Sequence, residues 1–228
     1  MTDELLSTQQ RRLMTSERER RQLRRLEILI DVIFALILWR VFALIPKPSD
    51  VGYEGELMLF FKEHARDFLP SIVGIVLVII YWIQNNTMFG NLERTDNKHA
   101  SIAILQIFAL LLYLYMVRIG IEYEGDNVAL LGQSITLAVA GWLAVLSWIY
   151  ATKNRRLISD DLTKPQAWGV YWRLMGEPIA ATLTIPVAWT SQGWWDLSWL
   201  VLIPIGMWTG RMAKRAETVV DRGTESRT

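Results

Sequence analysis

The chain has 228 residues, 52% of them apolar and 11% aromatic, and its 24 Lys and Arg nearly balance 23 Asp and Glu for a net charge of +1. Apolar content of this size together with eleven Trp exceeds the usual soluble range and points to a lipid membrane, with aromatic rings gathered at two interfaces. The absence of Cys excludes disulfides, thiolate nucleophiles and thiolate metal sites, and His64 and His99 are the only imidazoles, so no metal or other cofactor is expected.

Residues 1–26 form a basic segment with Arg at 11, 12, 18, 20, 21, 24 and 25. Ser16 followed by Glu19 has the pattern of a capping box and predicts a helix that starts near Ser16 and continues into the first apolar run. That run, Glu27 to Pro46, is about 30 Å long as a helix, one hydrocarbon thickness. It is too long for a signal peptide and ends in Pro46-Lys47-Pro48 with no small-residue cleavage site, so it is expected to be retained. Asp31 and Arg40 lie inside it, and a charge in lipid is costly unless paired, hydrated or snorkelled, which makes each a candidate functional residue.

Glu54 to Phe68 is amphipathic, with Leu57, Phe60, Phe61 and Ala65 at helical spacing, and reads as an interfacial helix or an extension of the next span. Further apolar spans are expected at about Leu69–Phe89, Ser101–Arg118, Val128–Ala151, Trp168–Thr190 and Leu197–Met212. The expected fold is therefore an all-α, six-span membrane domain over residues 27–212, followed by a short charged tail over 213–228.

Cation placement orients this domain. With the N-terminus inside, the inner segments carry the seven N-terminal Arg, then Arg94, Lys98, Lys153, Arg155, Arg156, Lys164, Arg211, Lys214, Arg215, Arg222 and Arg227. The outer segments carry Lys47, Lys62, Arg66 and Arg118 alone. Such an imbalance predicts a multi-pass protein of the cell membrane with both termini cytosolic. The Trp residues fit this frame, with 39, 189, 194, 195 and 199 towards the outer interface and 82, 148, 168, 172 and 208 towards the inner one.

The chain has no glycine-rich phosphate loop, no H-E-x-x-H and no G-x-S-x-G elbow, so neither an enzyme nor a nucleic-acid partner is expected. Two polar groupings remain. Arg173 and Glu177 stand four apart on the fifth span, where they read either as a self-neutralising pair or as a proton or ion site, with Pro178 and Pro186 marking a kinked helix. Gln84, Asn85 and Asn86 lie near the cytosolic end of the second span at about the depth of Asp31, and read either as wetted amides or as an interhelical cluster.

Two motifs carry a resemblance. Arg25-Leu26-Glu27-Ile28-Leu29-Ile30-Asp31 resembles the Arg-x-x-x-Phe-Ser-Asp opening of the first span in the transmembrane protein 175 family of potassium channels, with Leu29-Ile30 in place of Phe-Ser. Trp82, Asn85, Asn86, Phe89 and Asp96 are similar to that family's second signature, with Asn where many relatives show His. The resemblance implies a homotetramer whose first spans surround a central pore closed by apolar side chains, and a monovalent permeant ion, potassium.

The helical wheel is consistent with that implication. Leu29, Ile33, Leu36, Arg40 and Ala43 fall within about 60° of Leu36, whereas Asp31 sits roughly 140° away. The first group is the expected pore lining, Leu36 the expected constriction, and Arg25, Asp31, Asn85 and Asn86 the expected motif network. Arg40 on the pore face would form a cationic ring opposing a cation pore, or would snorkel outward or pair with Asp50, Glu54 or Glu56. A secondary transporter or proton-coupled carrier built on Arg173 and Glu177, and a non-conducting scaffold whose basic helix binds anionic lipid, stand as the alternative functions.

Overall fold

The computed structural model describes residues 2–65, 68–123 and 125–225. It is all-helical, with 83% of residues in helix and no strand among the described residues. The α-helices are α1 (Thr2–Phe42), α2 (Leu57–Glu63), α3 (Phe68–Phe89), α4 (Asn97–Glu122), α5 (Asn127–Thr152), α6 (Lys164–Thr184), α7 (Gln192–Ser198) and α8 (Leu202–Glu225). Each expected apolar stretch overlaps one of the long helices, closely at α3, α4 and α5 and only in part at α1, α6 and α8.

Among the described residues, three segments are long and apolar enough to cross a membrane: Ser71–Phe89, Asn97–Glu122 and Asn127–Arg155. The other long helices fall short for readable reasons. Helix α1 ends at Phe42, ahead of Pro46 and Pro48, so its apolar helical run Ile28–Phe42 reaches about 22 Å. Helix α6 carries Arg173 and Glu177, and α8 has a densely charged second half.

Several boundaries differ from expectation. Helix α1 is already helical from Thr2, so Ser16 lies inside it, and Glu19 faces Arg94 at 3.9 Å in place of a capping role. Helix α6 stops at Thr184 and yields to a 3-10 turn at Pro186–Trp189: Ile185 keeps helical angles, but Pro186 has no N–H to donate to the Thr182 carbonyl, so the ladder is interrupted there. Pro178 is accommodated inside α6, and its carbonyl accepts from Thr182 Oγ1 at 2.7 Å. Most of the charged tail is helical: α8 continues to Glu225, with Ala213 buried and Glu217 bonded to Arg173. In α2 only Phe60 is buried, against Tyr53, His64 and Phe68, while Leu57 and Phe61 are exposed.

The most extensive packing is α4 along α5, followed by α6 along α8 and α5 against α6. Caps define these starts: Asp96 accepts from the His99 N–H, Asp126 from the Val128 N–H, and Thr163 with Gln166 forms a reciprocal capping box on α6. Gly120 and Gly141 permit the close approaches; a Cβ at Gly120 would stand 2.7 Å from Gln133 Nε2. Helix α1 joins the bundle through one stripe, Leu23, Leu26, Ile30, Phe34, Ile37 and Val41, whose three- and four-residue steps give a single buried face against α3 and α4.

At the end of the bundle where α3 meets α4 and α5 meets α6, the two connecting loops pair through an antiparallel bridge between Leu92 and Ile158. Asn154 and Arg155 turn that second loop with φ of 57° and 52°, and the Arg155 guanidinium donates to the carbonyls of Ser159, Asp160 and Leu162. Two of the expected interface tryptophans are core residues instead. Trp148 donates to the Ala167 carbonyl at 2.9 Å and Trp195 to Ser134 Oγ at 2.8 Å, the partners that allow an indole to be buried.

Candidate functional site

Two regions gather the sequence-predicted residues: the outward face of α1 and a polar layer inside the bundle.

On α1, Leu36 is 58% exposed, Leu29, Arg40 and Ala43 are exposed, and Ile33 is half-buried at the edge of the packed stripe. Ile28, Val32, Trp39 and Phe42 extend the same exposed apolar surface. Arg40 has no ion-pair partner among the described side chains. The Asp50 side chain lies outside them, as do those of Arg11, Arg12, Arg66, Arg222 and Arg227.

The expected network of Arg25, Asp31, Asn85 and Asn86 is not assembled. Asp31 accepts a hydrogen bond from Trp82 Nε1 at 3.1 Å at the exposed edge of the α1–α3 contact. Asn85 points inward, buried at 2% exposure, and donates to the Tyr81 carbonyl at 2.9 Å. Asn86 and Arg25 are exposed, and among the described residues neither bonds to Asp31. The physical reason is azimuth: residues at matching depth on two helices meet only when both face the shared seam, and Trp82 and Asn85 are about 60° apart around α3.

A contact the sequence did not reveal ties α1 to the α3–α4 loop. Arg20 pairs with Glu93, Arg94 approaches Glu19 at 3.9 Å, and Gln22 Nε2 donates to Asn97 Oδ1 at 2.9 Å. The two Glu-Arg dipeptides thus meet with their charges crossed. Opposed Glu-Arg doublets in a basic helix and a polar loop were the only signal available.

Beside this contact lies a cavity of about 300 Å³ lined by Asp96, Asn97, Lys98, Tyr150 and Arg156. Tyr150 donates to Asp96 Oδ2 at 2.7 Å and accepts from Arg156 at 2.8 Å. Burial alone would raise the Asp96 carboxyl, but the His99 N–H, the Tyr150 hydroxyl and the Arg156 charge hold it below the usual carboxylate range.

Arg173 and Glu177 are not brought together. Arg173 reaches across to α8, where its guanidinium donates to Glu217 Oε1 at 2.8 Å. Glu177 turns into the bundle, 2% exposed, with Oε2 in contact with the Tyr81 hydroxyl and against Gly141 of α5. The same hydroxyl lies 3.1 Å from the Leu137 carbonyl. Glu177 Oε1, Asn85 Oδ1, both side-chain atoms of Gln106, Ser147 Oγ and His99 Nε2 are buried without a hydrogen-bond partner among the described residues.

No cluster of three His, Cys, Asp or Glu able to hold a metal is present among the described residues. Compared with known proteins, the chain matches no family model and no curated protein.

Proposed function

We propose that the protein is a membrane-embedded, homo-oligomeric ion channel in which α1 from each protomer surrounds a central pore. The observation that carries this reading is the outward face of α1. It is apolar from Ile28 to Phe42, is left uncovered by the protomer's own helices, and carries Leu36 at its centre with Arg40 one turn beyond. A second copy, with Leu36 closing the axis, accounts for that face better than lipid alone, because lipid gives no reason for a charge on it.

In this reading all six long helices span the bilayer, both termini are cytosolic, and oligomeric neighbours shield the short apolar run of α1. The resemblance of the Arg25–Asp31 and Trp82–Asp96 motifs to the transmembrane protein 175 family supports a tetramer and a monovalent cation, potassium, while the Arg40 ring opposes cation passage. A carrier built on an Arg173–Glu177 pair loses its premise, since each residue has another partner.

The test is planar-bilayer recording of purified protein in K⁺, Na⁺ and Cl⁻ gradients, with the oligomer imaged in parallel. Single-channel currents with a reversal potential following one ion, from a rotationally symmetric particle with α1 at its axis, are expected. A silent protein, or one with α1 on its lipid-facing rim, would overturn the reading.

A further inference from the structure

The Tyr81 hydroxyl has one proton and two acceptors beside it, the Leu137 carbonyl and Glu177 Oε2. Shared between two acceptors that proton makes two weakened bonds; both contacts are full two-centre hydrogen bonds at once when the carboxyl supplies the second proton, donating to the phenol oxygen while the phenol donates to Leu137. Among the described residues, nothing else near Glu177 compensates a charge. From α3 it is faced by Tyr81, from α4 by Tyr113, from α5 by Gly141 and the Leu137 carbonyl, and Arg173 of its own helix is engaged with Glu217 of α8.

Orphaned polar atoms lie at successive depths between this carboxyl and the surface. Contacts of Gln133 with the Met116 carbonyl and of Tyr150 with Asp96 fix the antiparallel register of α4 and α5 at two points. That register sets Gln106 about level with Gly141, hence with Glu177, and Ser147 below it towards His99. Asn85 lies one turn from Tyr81 along α3. His99 stands against Phe89, bonds Thr95 through Nδ1 at 2.8 Å and leaves Nε2 orphaned, next to Asp96 at the 300 Å³ cavity. Glu177, Asn85, Gln106, Ser147 and His99 are each at most 2% exposed. Buried polar atoms in such number are ordinarily satisfied by internal water, with two to four partners per molecule.

We propose that α3, α4, α5 and α6 enclose a protonatable site within each protomer, in which Glu177 exchanges its proton with the Asp96 cavity through waters held by Gln106, Asn85, Ser147 and His99. On release, the O–H bond of the Glu177 carboxyl breaks, the proton passes to water and the carboxylate keeps the electron pair. The site does not depend on the α1-lined pore, and a protein that conducts nothing would still show it.

Infrared spectroscopy of the protein in liposomes tests this. At neutral pH the wild type shows a protonated-carboxyl stretching band that Glu177→Gln abolishes, and that band downshifts promptly in D2O. Gln106→Leu removes one hydrogen-bonding station and slows the downshift roughly tenfold, at unchanged helix content. Asn85→Leu serves the same purpose if Gln106→Leu fails to fold. No such band in the wild type, a band that survives Glu177→Gln, a band that stays unshifted in D2O for hours, or an exchange rate that folded Gln106→Leu or Asn85→Leu leaves unchanged would each overturn the proposal.

Discussion

The indole of Trp82 donates to the carboxylate of Asp31 at 3.1 Å, and this is the polar tie between α1 and α3 along their otherwise apolar seam. A charge-assisted bond at a partly exposed site contributes about 1–2 kcal/mol. Trp82→Phe and Asp31→Ala are therefore expected to lower stability by similar amounts and to be non-additive in a double-mutant cycle. Asp31→Asn keeps an acceptor oxygen and retains most of the stability. Thermal unfolding of the detergent-solubilised protein reads all three, and additive losses would remove Trp82 as the partner.

The location of the helices and their apolar character were legible in the sequence, because stretches such as Leu69–Phe89 and Val128–Ala151 have no other physical use. Leu36 on an exposed face was also legible, since the wheel separates it from the Ile30, Phe34 and Ile37 stripe. Partners were not. Sequence depth put Asp31 beside Asn85, but the rotation of α3 about its axis decides between Asn85 and Trp82, and that rotation follows from packing by α4 and α6. Arg173 chose Glu217, 44 residues away, over Glu177 four residues away, because the interior of the bundle took the nearer carboxylate.

The crossed charges between α1 and the α3–α4 loop give a second prediction. Half-exposed ion pairs contribute up to about 1 kcal/mol each. Arg20→Glu or Glu93→Arg alone sets like charges together and loosens the N-terminal half of α1, and the double reversal restores it. Hydrogen exchange across residues 14–26 measures this, and the difference between wild type and single variants shrinks at high salt.

Asp96 provides a pH dependence. Its folded-state carboxyl is held below the ordinary value of about 4, so its contribution to stability is complete above that value and is lost as pH falls through the folded value. Tyr150→Phe removes one of the bonds that lower it, and is expected to move the acid limb of the stability curve towards neutrality. Asp96→Asn flattens that limb. Acid titrations of unfolding followed by near-UV circular dichroism distinguish the two.

Gly141 lies where α5 crosses α6, and a side chain there would collide with Glu177 Oε2 and approach Pro178 Cβ to 2.8 Å. Gly141→Ala is expected to destabilise by about 1–3 kcal/mol through overpacking, despite its better helix propensity. Gly206, which has open space around its Cβ position, is the control: Gly206→Ala leaves the unfolding temperature unchanged or raises it.

Arg40 bears on conduction directly. In the proposed α1-lined assembly its ring of charge would repel cations, so Arg40→Gln is expected to raise cation current in reconstituted protein and to shift the reversal potential towards the cation equilibrium value. Equal conductance and selectivity in the variant would place the guanidinium away from the ion path.

The single stripe by which α1 meets the bundle also sets an order of assembly. The α4–α5 hairpin closes over local contacts, whereas α1, which precedes α3 and α4 in the chain, has nothing to sit on until they are made. Helix α1 is thus synthesised before the helices it packs on and seated after them, with its buried stripe bare in the meantime. Because the chain has no native Cys, paired replacements can time this. Cross-linking of Val41→Cys with Gly74→Cys, which face one another across the seam, should lag that of Met116→Cys with Gly132→Cys in the hairpin.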